Sequence, residues 1–139
     1  MRDAIELLTE KSAAIDEIFD IMSRISVLLD EENLLMINKC NQQLDERMKL
    51  CDAIDSELAG IDSGIDASAE YDERCGEIRK RIQSRLIEID KTDKENQNKA
   101  QAYIDIYKDS IRQINEQRKS EMQYGAASAD EGFYIDTNN

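Results

Sequence analysis

The sequence predicts an all-α protein: an elongated antiparallel helical hairpin followed by a long third helix, forming a three- to four-helix, coiled-coil-like bundle. The 139 residues include no proline and only five glycines, the two residues that most often interrupt a helix. Hydrophobic residues make up 40% of the chain but aromatic residues only 5%, which favours a thin bundle over a thick globular core. We therefore expect one helical domain over residues 1–123, with a flexible tail over 124–139.

The first helix is predicted at about residues 2–30. Apolar residues recur there three and four positions apart, the spacing of a helix with one buried stripe, or seam. The predicted seam consists of Leu8, Ile15, Ile18, Met22, Ile25 and Leu29. Further apolar residues such as Ile21 and Leu28 widen this stripe, which indicates contact with two neighbouring helices.

The second helix is predicted at about residues 33–59, after a polar turn at residues 30–33. Asp30, Glu31, Glu32 and Asn33 form this turn and include side chains that can cap a new helix. The predicted seam of the second helix is Leu34, Ile37, Asn41, Leu44, Met48, Cys51, Ile54 or Asp55, and Leu58. One unbroken helix over 2–59 is the alternative, because no glycine or proline enforces the turn.

The third helix is predicted at residues 69–123, after a glycine-containing loop over residues 60–68. Its seam starts with Tyr71, Cys75, Ile78, Ile82, Leu86 and Ile89. Residues 90–99 are wholly polar, and Thr92 to Glu95 fits a capping box, so a helix break at 90–99 and an unbroken helix both remain open. The apolar pattern then resumes, and Tyr124-Gly125 is predicted to end the helix.

The charge distribution disfavours nucleic acid as a partner. The net charge is −13, and residues 1–66 carry six Lys or Arg against sixteen Asp or Glu. Such a surface repels phosphate backbones. Residues 74–91 reverse the balance, with six basic against three acidic residues, Arg79, Lys80, Arg81 and Arg85 among them. This stretch is interpreted as a solvated helix face or as a docking patch for an acidic partner.

The residue types argue against catalysis and against bound cofactors or metals. The chain has no histidine, and Cys40, Cys51 and Cys75 lack metal-site spacing. Cys40 and Cys51 lie about 16 Å apart on one predicted helix, too far for a disulfide. The acidic amino terminus and the lack of an apolar run of about 18 residues predict a cytoplasmic protein with no membrane insertion. We expect no enzyme activity and no cofactor.

The predicted helix lengths point to a binding surface. By helical rise the three helices would measure about 43, 38 and 82 Å, so two short helices cannot cover the third. The apolar residues left uncovered would be Tyr103, Ile104, Tyr107, Ile111 and Ile114. The chain could fold back at 90–99 and bury them, pair with a second copy, or accept an amphipathic helix from another protein.

The tail holds a second candidate for binding. Phe133, Tyr134 and Ile135 form an aromatic-apolar group within an otherwise small and polar segment. This group would pack back onto the bundle or serve as a docking motif.

Several segments together resemble the FlgN-like flagellar export chaperones. They are the turn at residues 30–33, the second helix LLMINKCNQQLDERMKLCDAIDSEL, the third-helix ending IRQINEQRKSEMQYG and the tail motif from Gly132 to Asp136. The resemblance covers nearly the whole chain as an order of features. It implies a cytosolic type III secretion chaperone that holds the C-terminal amphipathic segments of hook–filament junction proteins unfolded and delivers them to the export machinery. The stripe from Tyr103 to Ile114 would be the binding groove.

Two other functions remain open from the residues alone. A structural coiled-coil oligomer or scaffold would use the same stripe to join copies of the chain. An acidic regulator would bind a basic protein through charge, with an affinity that falls steeply with salt.

Overall fold

The described part of the chain forms three α-helices. The structure, a computed structural model, describes residues 2–61 and 68–128, with side chains as far as Gln123. Helix α1 spans Ala4–Asp30, α2 spans Leu34–Ala59 and α3 spans Ala69–Ser128, with no strand in the described ranges. The predicted all-α class is confirmed.

The chain divides into two compact units. Unit 1 is Met1–Ala100 and unit 2 is Gln101–Asn139. Unit 1 holds α1, α2 and the first part of α3, and unit 2 holds the rest of α3.

Side-chain caps define where α1 and α2 begin. Asp3 accepts a hydrogen bond from the Glu6 amide at 2.8 Å, and Asn33 accepts one from the Met36 amide at 3.2 Å. Each cap satisfies one of the main-chain donors that a helix start leaves unpaired. Between the two helices the chain reverses with Glu32 in the left-handed region, at φ 56°. The hairpin turn expected at residues 30–33 is therefore present, and an unbroken helix over 2–59 is excluded.

Helix α1 supplies most of the buried side chains of unit 1. One row of buried residues recurs every seven positions and a second row runs beside it, so α1 is buried over a wide face. The buried residues of α1 are Leu7, Leu8, Ala14, Ile15, Ile18, Ile21, Ile25 and Leu28. A face of this width lets α1 contact α2 and α3 together, as the additional apolar residues predicted.

Two apolar clusters form the core among the described residues of unit 1. Near the turn, Ile21, Ile25 and Leu28 of α1 pack with Ile37 and Cys40 of α2. The second cluster joins all three helices. It contains Leu8, Ile15, Cys75 and Ile82, with Cys51 and Leu58 partly buried against it.

The start of α3 is also held by a polar contact with α1. The Tyr71 hydroxyl accepts hydrogen bonds from the Ala4 amide at 2.9 Å and from the Ile5 amide at 3.3 Å. These amides belong to the first turn of α1, which has no earlier helical carbonyls to bond. Tyr71 therefore satisfies donors of α1 while its ring lies against the second cluster.

The seam predicted for α2 is wrong at three positions. Leu34, Asn41 and Met48 are exposed, and the buried residues of α2 are Ile37, Cys40 and Ile54. The actual seam passes through Arg47, which is half-buried and forms an ion pair with Glu17 of α1. The apolar pattern favoured Met48 for the seam, but the neighbouring Arg47 lies there instead. An arginine can do so because it buries its aliphatic stem and keeps its charged end paired.

A charged residue also replaces an apolar one in α3. Leu86 was predicted in the seam but is exposed, and Arg85 is half-buried there instead. The Arg85 Nε donates to Asp16 of α1 at 2.9 Å, and its guanidinium lies 4.7 Å from the centre of the Phe19 ring. The hydrogen bond with Asp16 raises the pKa of Arg85 above its ordinary value. A cation over an aromatic face is an attractive contact.

Helix α3 continues without a break through residues 90–99. Asn96 is buried, and Lys99 is half-buried with hydrogen bonds to Ser26 and Asp30 of α1. The polar stretch is therefore a contact surface for α1, and the chain does not fold back there to make a fourth helix. Helix α3 also passes the end predicted at Tyr124-Gly125 and finishes at Ser128.

Candidate partner-binding surface

The strongest candidate for a binding site is an apolar row on the part of α3 in unit 2. We call Tyr103, Ile104, Tyr107, Ile111 and Ile114 the α3 stripe. Their spacing of one, three or four positions places them on one side of a helix. Tyr103 is half-buried, Ile104 and Ile111 are each 44% exposed, and Tyr107 is 61% exposed. The stripe thus presents large apolar side chains to solvent.

The charges of this segment do not favour a partner of either positive or negative net charge. Residues 101–123 contain four basic and four acidic side chains. Some pair along the helix, as Arg112 does with Asp109 at 3.4 Å. Because both are exposed, this pair contributes little to stability. Recognition at the α3 stripe would therefore rest on apolar contact.

The stripe also matters for the stability of the segment that carries it. Helices gain most of their stability from packing an apolar face, and an isolated helix is marginal in water. Every buried side chain of the described residues lies at or before Asn96. A partner bound to the α3 stripe would supply the kind of apolar packing that stabilises helices in general.

The tail carries the second predicted docking motif. Phe133, Tyr134 and Ile135 lie outside the described residues. Their role in binding stays a prediction.

The basic stretch of α3 is split by the fold. Arg79, Lys80 and Arg81 are exposed, whereas Arg85 lies in the contact with α1. Both interpretations of the exposed basic residues, as a solvated face or as a docking patch, stay open.

One apolar surface was missed by the sequence reasoning. Leu34, Leu35 and Met36 are consecutive, and all three are exposed in the first turn of α2. The periodic pattern assigned Leu34 to the seam, so its exposure was not expected. The sequence did contain a signal for this surface, namely three consecutive apolar residues. A helix seam can bury only one or two of three consecutive residues, so at least one of them had to be exposed.

The cysteines are free thiols, and their burial differs. Cys40 and Cys75 are buried, while Cys51 is partly accessible. Burial raises the pKa of the Cys51 thiol, and Lys11 opposes that effect. A raised pKa keeps the thiol neutral and slows its reactions. No group of acids and cysteines suited to a metal ion occurs among the described residues.

None of the helices in residues 2–61 and 68–128 has the length and apolar character needed to cross a membrane. Comparison with protein-family models, with curated proteins and with solved structures gives no match for this chain.

Proposed function

We propose that this protein is a chaperone that binds an amphipathic helical segment of another protein along the α3 stripe, and that it has no catalytic activity. The observation that carries the proposal is the exposure of four large apolar side chains on one side of α3: Ile104, Tyr107, Ile111 and Ile114. Contiguous apolar surface of this kind is typical of protein interaction sites. An amphipathic helix presents a matching row at the same spacing.

The energy available suits a protein that holds a client and then releases it. Burying one large apolar side chain is worth roughly 1.5–3 kcal/mol when it starts fully exposed. Half-exposed side chains gain less, and ordering a flexible client costs about 2–5 kcal/mol. The balance favours moderate affinity, which a delivery protein requires.

The proposed client class follows from the resemblance to the FlgN-like chaperones. We infer a cytoplasmic protein that receives the C-terminal segments of hook–filament junction proteins and presents them to the export machinery. The hairpin turn at residues 30–33 and the continuous α3 agree with the order of features on which the resemblance rests.

The test is binding of a labelled C-terminal peptide from a hook–filament junction protein, followed by fluorescence anisotropy. The variant Ile104→Asp/Ile111→Asp is expected to abolish binding and to leave the helical circular dichroism signal unchanged. Ile106→Asp is the matched control, because Ile106 is 67% exposed on the same helix but lies off the α3 stripe. The control is expected to bind normally.

Two outcomes would contradict the proposal. Unfolding of the Ile104→Asp/Ile111→Asp variant would mean that these side chains stabilise the fold. Equal loss of binding in the Ile106→Asp control would mean that the peptide does not recognise the α3 stripe.

A structural oligomer is the second candidate function, because a second copy could cover the same exposed stripe. It predicts a fixed dimer or larger assembly by light scattering in the absence of any client. A monomer at micromolar concentration would argue against it and leave the chaperone proposal standing.

A further inference from the structure

We propose a second binding surface at the turn of the hairpin, whose partner is a cationic amphipathic helix of another protein. The surface, called the hairpin tip, consists of Glu31, Glu32, Leu34, Leu35 and Met36. It lies wholly in unit 1 and does not depend on the function proposed for the α3 stripe.

The apolar part of the hairpin tip is not needed by the hairpin itself. Leu34 is 54% exposed and Leu35 is 69% exposed, while Ile37 and Cys40 are buried one turn further along α2. Those two residues already close the apolar cluster near the turn. Three consecutive large side chains are therefore left on the surface at one end of unit 1, where a partner could bury them.

The charges beside this apolar surface select the partner. Residues 30–36 carry three carboxylates and no basic side chain, and the first basic residue of α2 is the exposed Lys39, about one turn beyond Leu35 and Met36. Asp30 pairs with Lys99 at 2.9 Å, but neither Glu31 nor Glu32 takes part in any ion pair among the described residues. An apolar surface flanked by unpaired carboxylates is complementary to a helix that has an apolar face bordered by Lys or Arg.

Other occupants fit less well. A second copy docking tip to tip would place Glu31 and Glu32 against the same carboxylates, and like charges repel. Nucleic acids and anionic lipid surfaces carry the same sign of charge as the tip. A cationic amphipathic protein segment remains, because it can make favourable contacts with both the apolar and the acidic parts of the hairpin tip.

The experiment uses the full chain and a fluorescein-labelled peptide of about 18 residues, or five helical turns, built from Leu and Lys in an amphipathic pattern. Anisotropy titrations are made at about 0.1 M salt, where only nearby exposed charges interact. Leu34→Ser/Leu35→Ser is expected to weaken binding about tenfold, which is the effect of losing two apolar contacts of modest size. Met48→Ser is the control, since Met48 is 54% exposed elsewhere on α2, and it should bind like the parent protein.

A second pair of variants separates the hairpin tip from the general acidity of the chain. Glu31→Gln/Glu32→Gln removes two charges at the tip, and Asp45→Asn/Glu46→Gln removes two from exposed positions further along α2. The first is expected to weaken binding several-fold and the second to change it by less than about twofold. Equal effects of the two would show attraction to net charge alone and would overturn the proposal.

The last arm separates the two proposed surfaces. Ile104→Asp/Ile111→Asp removes any binding of the Leu/Lys peptide along the α3 stripe, and the loss caused by Leu34→Ser/Leu35→Ser should persist in that background. Loss of binding in that variant, with none in Leu34→Ser/Leu35→Ser, would place the peptide on the α3 stripe and overturn the proposal for the hairpin tip. A failure of the chaperone proposal would appear only with the junction-protein peptide, so the two failures are distinguishable.

Discussion

Asn96 of α3 donates a hydrogen bond from Nδ2 to the main-chain carbonyl of Met22 in α1, at 3.0 Å. The Asn96 side chain is buried, and its Oδ1 atom has no hydrogen-bond partner among the described residues. One turn further, Lys99 Nζ donates to the carbonyl and the hydroxyl of Ser26 at 3.2 and 2.9 Å. In this region α3 is held to α1 by directional polar contacts in place of apolar packing.

Replacing Asn96 with leucine should stabilise the protein. The substitution loses one hydrogen bond, worth about 1 kcal/mol, and removes an unpaired buried acceptor that costs about 1–3 kcal/mol. We expect the free energy of unfolding to rise by roughly 1 kcal/mol in urea denaturation followed by circular dichroism. Asn98→Leu is the control, because Asn98 is exposed and its replacement should have little effect. A less stable Asn96→Leu variant would show that the amide is well satisfied.

Alanine substitutions in α2 should distinguish its actual seam from the one that the sequence predicted. Ile54 is 1% exposed and Met48 is 54% exposed. Ile54→Ala should lower the free energy of unfolding by about 2–4 kcal/mol, because it leaves a cavity. Met48→Ala should change it by less than about 0.5 kcal/mol. Comparable losses of unfolding free energy in the two variants, measured by urea denaturation, would support the seam that the sequence predicted.

Replacing Glu32 with glycine should also stabilise the protein. Glu32 has φ 56°, a region that costs a residue with a Cβ about 1–2 kcal/mol and glycine very little. Glycine gains more freedom in the unfolded chain, which offsets part of that benefit. The expected gain is therefore about 0.5 kcal/mol in thermal or urea unfolding. Glu31→Gly, in which the replaced residue has an ordinary helical φ of −88°, should be destabilising.

The three thiols should react with a disulfide reagent at separate rates. Cys51 is partly accessible and should react first, while buried Cys40 and Cys75 should react only on unfolding. Since burial raises the pKa of Cys51, its rate should reach half-maximum at a higher pH than that of a free thiol. Cys51→Ser should remove the fast phase. A fast phase that survives this substitution would contradict the assignment.

The raised pKa of Cys51 also predicts the direction in which the stability of the protein changes with pH. A raised pKa means that the folded protein favours the neutral thiol of Cys51. The stability linked to this preference is fully present below the ordinary thiol pKa and is lost as the pH rises through the raised value. Cys51→Ser should therefore lose less stability than the parent protein between neutral and alkaline pH.

Much of the fold could be predicted from the sequence, because helix periodicity and capping are local properties. The absence of proline, the 3.6-residue apolar pattern and the capping residue Asn33 indicated three or four helices and a turn at residues 30–33. The α3 stripe was predicted for the same reason, since spacing alone places Ile104, Tyr107 and Ile111 on one side of a helix.

The tertiary structure decided which of several similar seams each helix buries. Whether Met48 or Arg47 faces α1 depends on Glu17 lying opposite to pair with the arginine, and a one-dimensional pattern carries no such information. The polar stretch at 90–99 stays helical for a similar reason, because carbonyl and hydroxyl groups of α1 accept hydrogen bonds from Asn96 and Lys99. Helices follow from residues near in sequence, but the face that each helix buries follows from partners distant in sequence and close in space.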